Sequence, residues 1–479
     1  MKYKSTICLF FLLPVLVLAQ EENYWRTVPP AKYDFIKYAD NEITNLQKLE
    51  SFYQQLFLLR HSGKGQVSVV HIGDSHQQGD GPTGVIRHGI QEFFGDAGRG
   101  LVFPYQVAAT NAPLDIKSTS NATWKNNRLT SPDKPVQTGI CGYGIETTNP
   151  NAVLTLRIKE KDGQQATFNR MVFFLNDDGS HYSLTDSALA APITFYGNTK
   201  LAENQPVIVN ANTTLTGFNL KREGETGTGF NFFGVSLEKQ DQAGVLYHTI
   251  GVNGARYDQY LQSAKFHQQL KSLHGDLFII SLGTNEAQNQ YISEQTMMAA
   301  CDSMVNLVHS VAPLATVLIT TPAGSYYLHK KPNAAIQKVS AALVNYCEAH
   351  NVPVYDLFSI TGGITQIPSW KRHELLSHDL VHYNNAGYQL QGSLMLGAIA
   401  TGYNKYGQSH TYKAAPAVTT AAKTAVKIQN EVVKVDALKI RPVVTVPADV
   451  PKPTTSSAPS PEQQSAPQRK SNITVEYSK

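Results

Sequence analysis

Val67-Ser68-Val69-Val70-His71-Ile72-Gly73-Asp74-Ser75-His76 is the stretch whose reading decides the fold. Its first six residues form a β-branched, apolar run that stops at Gly73, as a strand buried on both faces stops before a functional turn. Similar units recur downstream. Residues 276–282 (DLFIISL) lead into Gly283-Thr284-Asn285 and an amphipathic helix over about 293–311. A strand over 316–321 precedes a helix over about 333–350, and a strand over 352–358 is followed by a last helix over about 384–400. Strands alternating with helices predict an α/β core, a parallel sheet covered on both faces. Upstream, Phe35, Ile36, Ile43, Leu46, Leu49, Phe52, Leu56 and Leu59 recur at helical spacing, so helices are expected across about 24–60.

Between about 100 and 240 the pattern changes. Short apolar segments are separated by Gly, Asn, Asp and Pro clusters with no useful helical period, which suggests a β-sandwich inserted into the core, since the core resumes only at 245–250. Beyond about Gly407 the chain is rich in Ala, Pro, Thr, Ser, Lys and Val, lacks Trp and Phe, and is expected to be disordered apart from a short strand near 432–446. The expected organisation is a signal peptide at 1–19, a discontinuous core at 20–99 and 241–403, an inserted β-sandwich at 100–240 and a disordered tail at 408–479.

The signal peptide is read from Lys2 and Lys4, the apolar run from Ile7 to Leu18 and the small residue Ala19, where cleavage is expected. The run is short for a bilayer span, so an exported, periplasmic or secreted protein without stable membrane insertion is expected. Cys141, Cys301 and Cys347 would remain, with no metal-ligand spacing. Cys301 and Cys347 lie in helical segments and either pair or stay as buried thiols. The net charge of +4 comes from the tail, while the part before His410 is near neutral, which argues against a nucleic-acid partner.

An open α/β sheet binds its ligands at the carboxyl ends of its strands. Four turns there have suitable chemistry. In Gly73-Asp74-Ser75-His76 a serine hydroxyl and its own N–H can both face a carbonyl, although Gly-Asp-Ser is also ordinary turn chemistry. Gly251-Val252-Asn253-Gly254-Ala255 and Gly283-Thr284-Asn285-Glu286 offer a glycine N–H and an amide, donors suited to an oxyanion, though each alone reads as a turn. Asp379-Leu380-Val381-His382 places a carboxylate three residues before an imidazole, the spacing that lets Asp379 orient His382 as a base. The order Ser, Gly, Asn, Asp-x-x-His is what raises these above ordinary turns.

That order resembles the four blocks of the SGNH (GDSL-type) hydrolase superfamily, with the blocks at Ser75, Gly254, Asn285 and His382. The resemblance covers about 65–100 and 245–402. It implies a three-layer, flavodoxin-like sheet, a Ser75–His382–Asp379 triad, an oxyanion hole of Ser75 N–H, Gly254 N–H and the Asn285 amide, and no cofactor or metal. The GDSH turn, inserted β-rich domain and signal peptide are together similar to bacterial peptidoglycan O-acetylesterases. The implied reaction is removal of O-acetyl groups from a cell-wall or extracellular polysaccharide. Transfer of acetyl to a glycan and deacetylation of a plant polysaccharide such as xylan are the alternatives.

Asp74 is expected to fix its turn, His71 to be a satisfied sheet histidine, and His76 to pack in the turn or line the pocket rim. Trp124, Tyr143, Tyr182 and Tyr196 are candidates for glycan contact, or for the sandwich's own core.

Overall fold

The computed structural model describes residues 24–29, 31–131, 136–159, 166–175, 180–197, 205–223 and 229–412. The expected signal peptide, the strand near 432–446 and the tail from 413 onward lie outside these residues.

The core sheet consists of β1 (Gln66–Gly73), β2 (Gly244–Gly251), β3 (Leu277–Ser281), β4 (Thr316–Thr320) and β5 (Val354–Tyr355), in the order β2-β1-β3-β4-β5. Every pairing in it is parallel. The order is flavodoxin-like and reverses direction between β1 and β3, where such sheets open a binding crevice. Alternate residues of each strand serve opposite faces. Val67, Val69, Tyr247, Leu277 and Ile279 pack with residues of α1 (Glu50–Ser62), α3 (Gly81–Phe94) and α6 (Asn385–Ser409). Val70, Ile72, Phe278, Ile280 and Ile319 belong to the other apolar cluster, with α4 (Glu294–Val311) and α5 (Ala334–His350). The short helix α2 (Ser75–Gln78) follows β1 directly. The result is the expected three-layer α/β core.

The connection from β1 to β2 contains the inserted strands. One antiparallel sheet runs in the order Val207–Leu215, Phe168–Leu175, Phe230–Glu238, Tyr143–Thr147, Lys125–Arg128, with Gly98–Val102 also paired to Phe230–Glu238. A second runs Ile116–Ser120, Val153–Ile158, Gly217–Glu223, His181–Thr185, Ile193–Tyr196. Ring contacts of Phe173 with Phe218 (5.3 Å) and Tyr182 with Phe230 (5.4 Å) join the two sheets face to face, so the antiparallel strands form a sandwich. A buried ionic cluster ties it to the core: Arg99 bonds Asp115 and, at 2.9 Å, Asp80, which also pairs with Arg87 at 2.7 Å.

Three local expectations are corrected. Among the described residues upstream of α1 the helical segments are the 3₁₀ turns Tyr38–Asp40 and Leu46–Leu49, because Asn45 adopts a left-handed backbone (φ 52°) that stops helix propagation. The last helix continues to Ser409 instead of ending near 400, so residues 408–409 belong to the fold. Tyr403 packs edge-on against Phe94 (4.8 Å), and the Asn404 side chain bonds both the N–H and the carbonyl of Trp25. β5 is two residues long, because Asp356 caps a helical turn at Leu357–Ile360. Cys141, Cys301 and Cys347 are buried free thiols.

Candidate active site

Sheet register brings three turns to one level. Gly73 at the end of β1 is paired with Gly251 on one side and Ser281 on the other, so Ser75, Gly254 and Asn285 all emerge just beyond the same edge. The Tyr260 hydroxyl donates to the Gly73 carbonyl at 2.7 Å and pins the strand end. Ser75 opens α2 with a capping box. Asp74 Oδ1 accepts the His76 N–H at 3.0 Å, and Gln77 Oε1 accepts the Asp74 N–H at 3.2 Å.

The fourth turn arrives from the far end of the chain. His382 Nε2 is 2.7 Å from Ser75 Oγ, and His382 Nδ1 is 2.6 Å from Asp379 Oδ2. The other carboxylate oxygen of Asp379 accepts the Val381 and His382 N–H groups, each at 2.9 Å, so the carboxylate is fixed before it meets the ring. Leu380, between them, has φ 55°, an unfavourable value for a branched residue, held by a 2.8 Å bond from the Tyr326 N–H to its carbonyl. Burial works against the charged form of His382. The Asp379 hydrogen bond and charge, with Asp74 behind, outweigh it and raise the imidazole pKa above its ordinary value. Burial would likewise raise Asp379, but its bonds to His382 and to the two backbone groups hold it well below the usual carboxylate range. A half-exposed serine, a basic imidazole and a charged carboxylate form a relay able to deliver a nucleophile to an acyl carbon.

Around Ser75, Asp74 is buried, and desolvation pushes its carboxyl up to about 6. The Asn285 amide nitrogen donates to the Ala255 carbonyl at 2.9 Å and lies 3.4 Å from Asp74 Oδ2. The shorter bond holds Asn285 in place; the longer is the one a substrate oxygen can replace. Gly254 is exposed with φ 80°, and neither its N–H nor that of Ser75 has an acceptor among the described residues. His76 is buried against the His382 ring (centroids 5.0 Å apart), with Nδ1 3.1 Å from the Tyr388 hydroxyl. Burial and the neighbouring His382 push it down to about 3, so it is a neutral wall of the triad. His71 lies deeper, its two nitrogens bonded to Tyr247 and Ser281 hydroxyls, as a satisfied sheet histidine.

Sequence reasoning did not single out Gln78. Its Oε1 accepts the Asn253 N–H at 2.8 Å and the Tyr143 hydroxyl at 2.7 Å, while Nε2 faces Thr110 Oγ1 (3.0 Å) and Asn111 O and Oδ1 (2.9 and 2.8 Å). Its position one helical turn after Ser75 was the available signal. Of the four aromatics considered for glycan contact, Trp124, Tyr143 and Tyr182 are buried and belong to the core, because the sandwich needs their bulk between its sheets. Tyr196 is exposed and stacks on His181.

Residues 215–390 match the GDSL-like Lipase/Acylhydrolase family model. The matched segment starts within the inserted strands and does not reach Ser75. Among curated proteins, none matches the chain in sequence. Among solved structures, a peptidoglycan O-acetylesterase is similar over 78% of this chain and 99% of its own, with 19% identity and a TM-score of 0.63. A lipase/acylhydrolase from Enterococcus faecalis is similar over 33% of this chain and 77% of its own, with 20% identity and a TM-score of 0.25. A GDSL-like lipase from Bacteroides thetaiotaomicron is similar over 32% and 76%, with 19% identity and a TM-score of 0.26. Over residues 215–390 the chain is similar to the GDSL-like lipase/acylhydrolase family, and its fold is that of the peptidoglycan O-acetylesterase.

Proposed function

We propose that the protein is an exported serine esterase that removes O-acetyl groups from a cell-wall polysaccharide, most specifically peptidoglycan, through an acyl-enzyme on Ser75. The carrying observation is the Asp379–His382–Ser75 relay, with bonds of 2.6 and 2.7 Å, beside two backbone N–H groups that have no acceptor among the described residues.

His382 takes the proton from Ser75 as the hydroxyl attacks the ester carbonyl, and Asp379 stabilises the imidazolium. The Ser75 and Gly254 N–H groups receive the oxyanion, joined by the Asn285 amide as it releases its long contact with Asp74. Each such donor contributes about 3–4 kcal/mol to the transition state. The imidazolium protonates the departing sugar oxygen, and a water activated by the same ring then frees acetate.

The choice of glycan is supported by the peptidoglycan O-acetylesterase, whose fold is shared over 99% of its own length and 78% of this chain. The deciding experiment measures acetate release from O-acetylated peptidoglycan and from acetylated xylan by the protein and its Ser75→Ala variant. Release from peptidoglycan that requires Ser75 is expected. Release from xylan alone would move the enzyme to plant polysaccharide, and acetyl transfer to added glycan without free acetate would make it a transferase.

A further inference from the structure

We infer that the inserted sandwich aims the second oxyanion donor, with Thr130 and Gln78 as positioning residues that fix the Asn253–Gly254 peptide. This rests on the esterase reading above and assigns the inserted domain a part in the chemical step.

Residues 252–255 form a turn closed by the Ala255 N–H on the Val252 carbonyl (3.0 Å), with Gly254 in its third position at φ 80°. Those are the features of a type II turn, which differs from type I by a flip of the central peptide. Here the central peptide joins Asn253 to Gly254. In a planar trans peptide the C=O and the following N–H point opposite ways, so whatever holds the Asn253 carbonyl aims the Gly254 N–H. The Thr130 hydroxyl donates to that carbonyl at 3.2 Å. Thr130 follows the inserted strand Lys125–Arg128, and its own segment is tied to the sandwich by the Leu129 N–H on the Gly142 carbonyl (2.9 Å).

The peptide before Asn253 is held independently. Gln78 Oε1 must be the acceptor there, because a backbone N–H can only donate, and this fixes which way the Gln78 amide faces. Its nitrogen then faces Thr110 and Asn111, and its oxygen also receives Tyr143, all from the β1–β2 connection. Asn253 Nδ2 completes the loop with a 2.6 Å bond to Asn111 Oδ1. Both peptides flanking Asn253 are thus clamped, one by Thr130 directly and one by Gln78, which the inserted residues orient. A flip of the Asn253–Gly254 peptide would break the Thr130 bond to the Asn253 carbonyl and reverse the Gly254 N–H.

The test uses the full chain and an aryl acetate. It compares wild type, Thr130→Val, Thr130→Ser and Gln78→Met by kcat, KM and thermal midpoint. Thr130 is partly exposed, and valine keeps its shape, so the fold is not at stake. Thr130→Val is expected to lower kcat about tenfold, with KM within about twofold, because a misaimed donor loses transition-state and not ground-state binding. Thr130→Ser keeps the hydroxyl and is expected to restore kcat. Gln78→Met should lower kcat at least as far. Unchanged kcat in both Thr130→Val and Gln78→Met, a change in KM alone, or a loss that serine does not restore overturns the inference while leaving the esterase standing. A wild-type protein without Ser75-dependent hydrolysis removes both.

Discussion

His382 Nε2 sits 2.7 Å from Ser75 Oγ although 307 residues separate the two. A contact at that sequence distance closes only when the first strand and the last helix of the core are both in place, and on the proposed mechanism the two residues should act as one unit. Ser75→Ala and His382→Ala should each lower kcat on an aryl acetate by about 10⁴-fold or more, and the double variant should be no worse than either single one. Multiplying losses would mean that the two act separately.

The acid limb of the rate profile should follow His382, which must be neutral to accept the serine proton. Its pKa is raised in the fold, so kcat/KM should fall as pH drops through a midpoint above 6.5. Asp379→Asn removes the charge and weakens the bond that raise it, leaving burial opposed only by Asp74. The limb should move to lower pH while the plateau falls. A limb that stays in place would show that another group controls it; the neighbouring His76, held near 3, titrates far below this range.

Arg99 joins sandwich to core by bonding both Asp115 and Asp80, all three buried. Burial alone would raise the Asp80 carboxyl, but Arg87 and Arg99 hold it well below the usual range. Arg99→Met leaves two carboxylates short of a partner and should destabilise the fold by about 3–5 kcal/mol, read by chemical denaturation at pH 7. Arg99→Lys should recover little, since one ammonium cannot reproduce bonds from both Nε and Nη2. Full recovery by lysine would show that charge and not the fork matters.

The core was legible because its signals are local. The run from Val67 to Ile72, the Gly-Asp-Ser turn and the Asp379–His382 spacing each carry their meaning within a few residues, and sheet register assembles them. What the sequence did not announce depends on partners far away. Gln78 is an ordinary helix residue until Tyr143 and Asn253 are beside it, and Thr130 is an ordinary loop threonine until Asn253 presents its carbonyl. Helical spacing upstream of α1 misled for the converse reason: Phe35, Ile36 and Ile43 are buried by packing under the core without forming a helix. The aromatics of the sandwich gave no sign of which way they face: Tyr143 and Tyr182 on strands and Trp124 in the loop before Lys125–Arg128 turn inward, and Tyr196 stays exposed.

Glu286, beside Asn285, is a second candidate for pH-linked behaviour. It is buried, with Oε1 accepting the Tyr257 N–H at 2.8 Å and Oε2 without a hydrogen-bond partner among the described residues. Desolvation pushes its carboxyl up to about 7 from an ordinary 4.5. An acid whose pKa rises on folding binds more protons in the native state over that interval. Stability therefore falls as pH rises from about 4.5 to 7 and then levels off. Glu286→Gln keeps the acceptor for Tyr257 and cannot ionise. Its thermal midpoint should match wild type near pH 4 and exceed it by at least about 3 °C at pH 8, roughly 1 kcal/mol or more for a chain of this size. A constant difference between the two proteins across that range would show that Glu286 is neutral throughout, or that its charge is compensated by Arg256, which faces it.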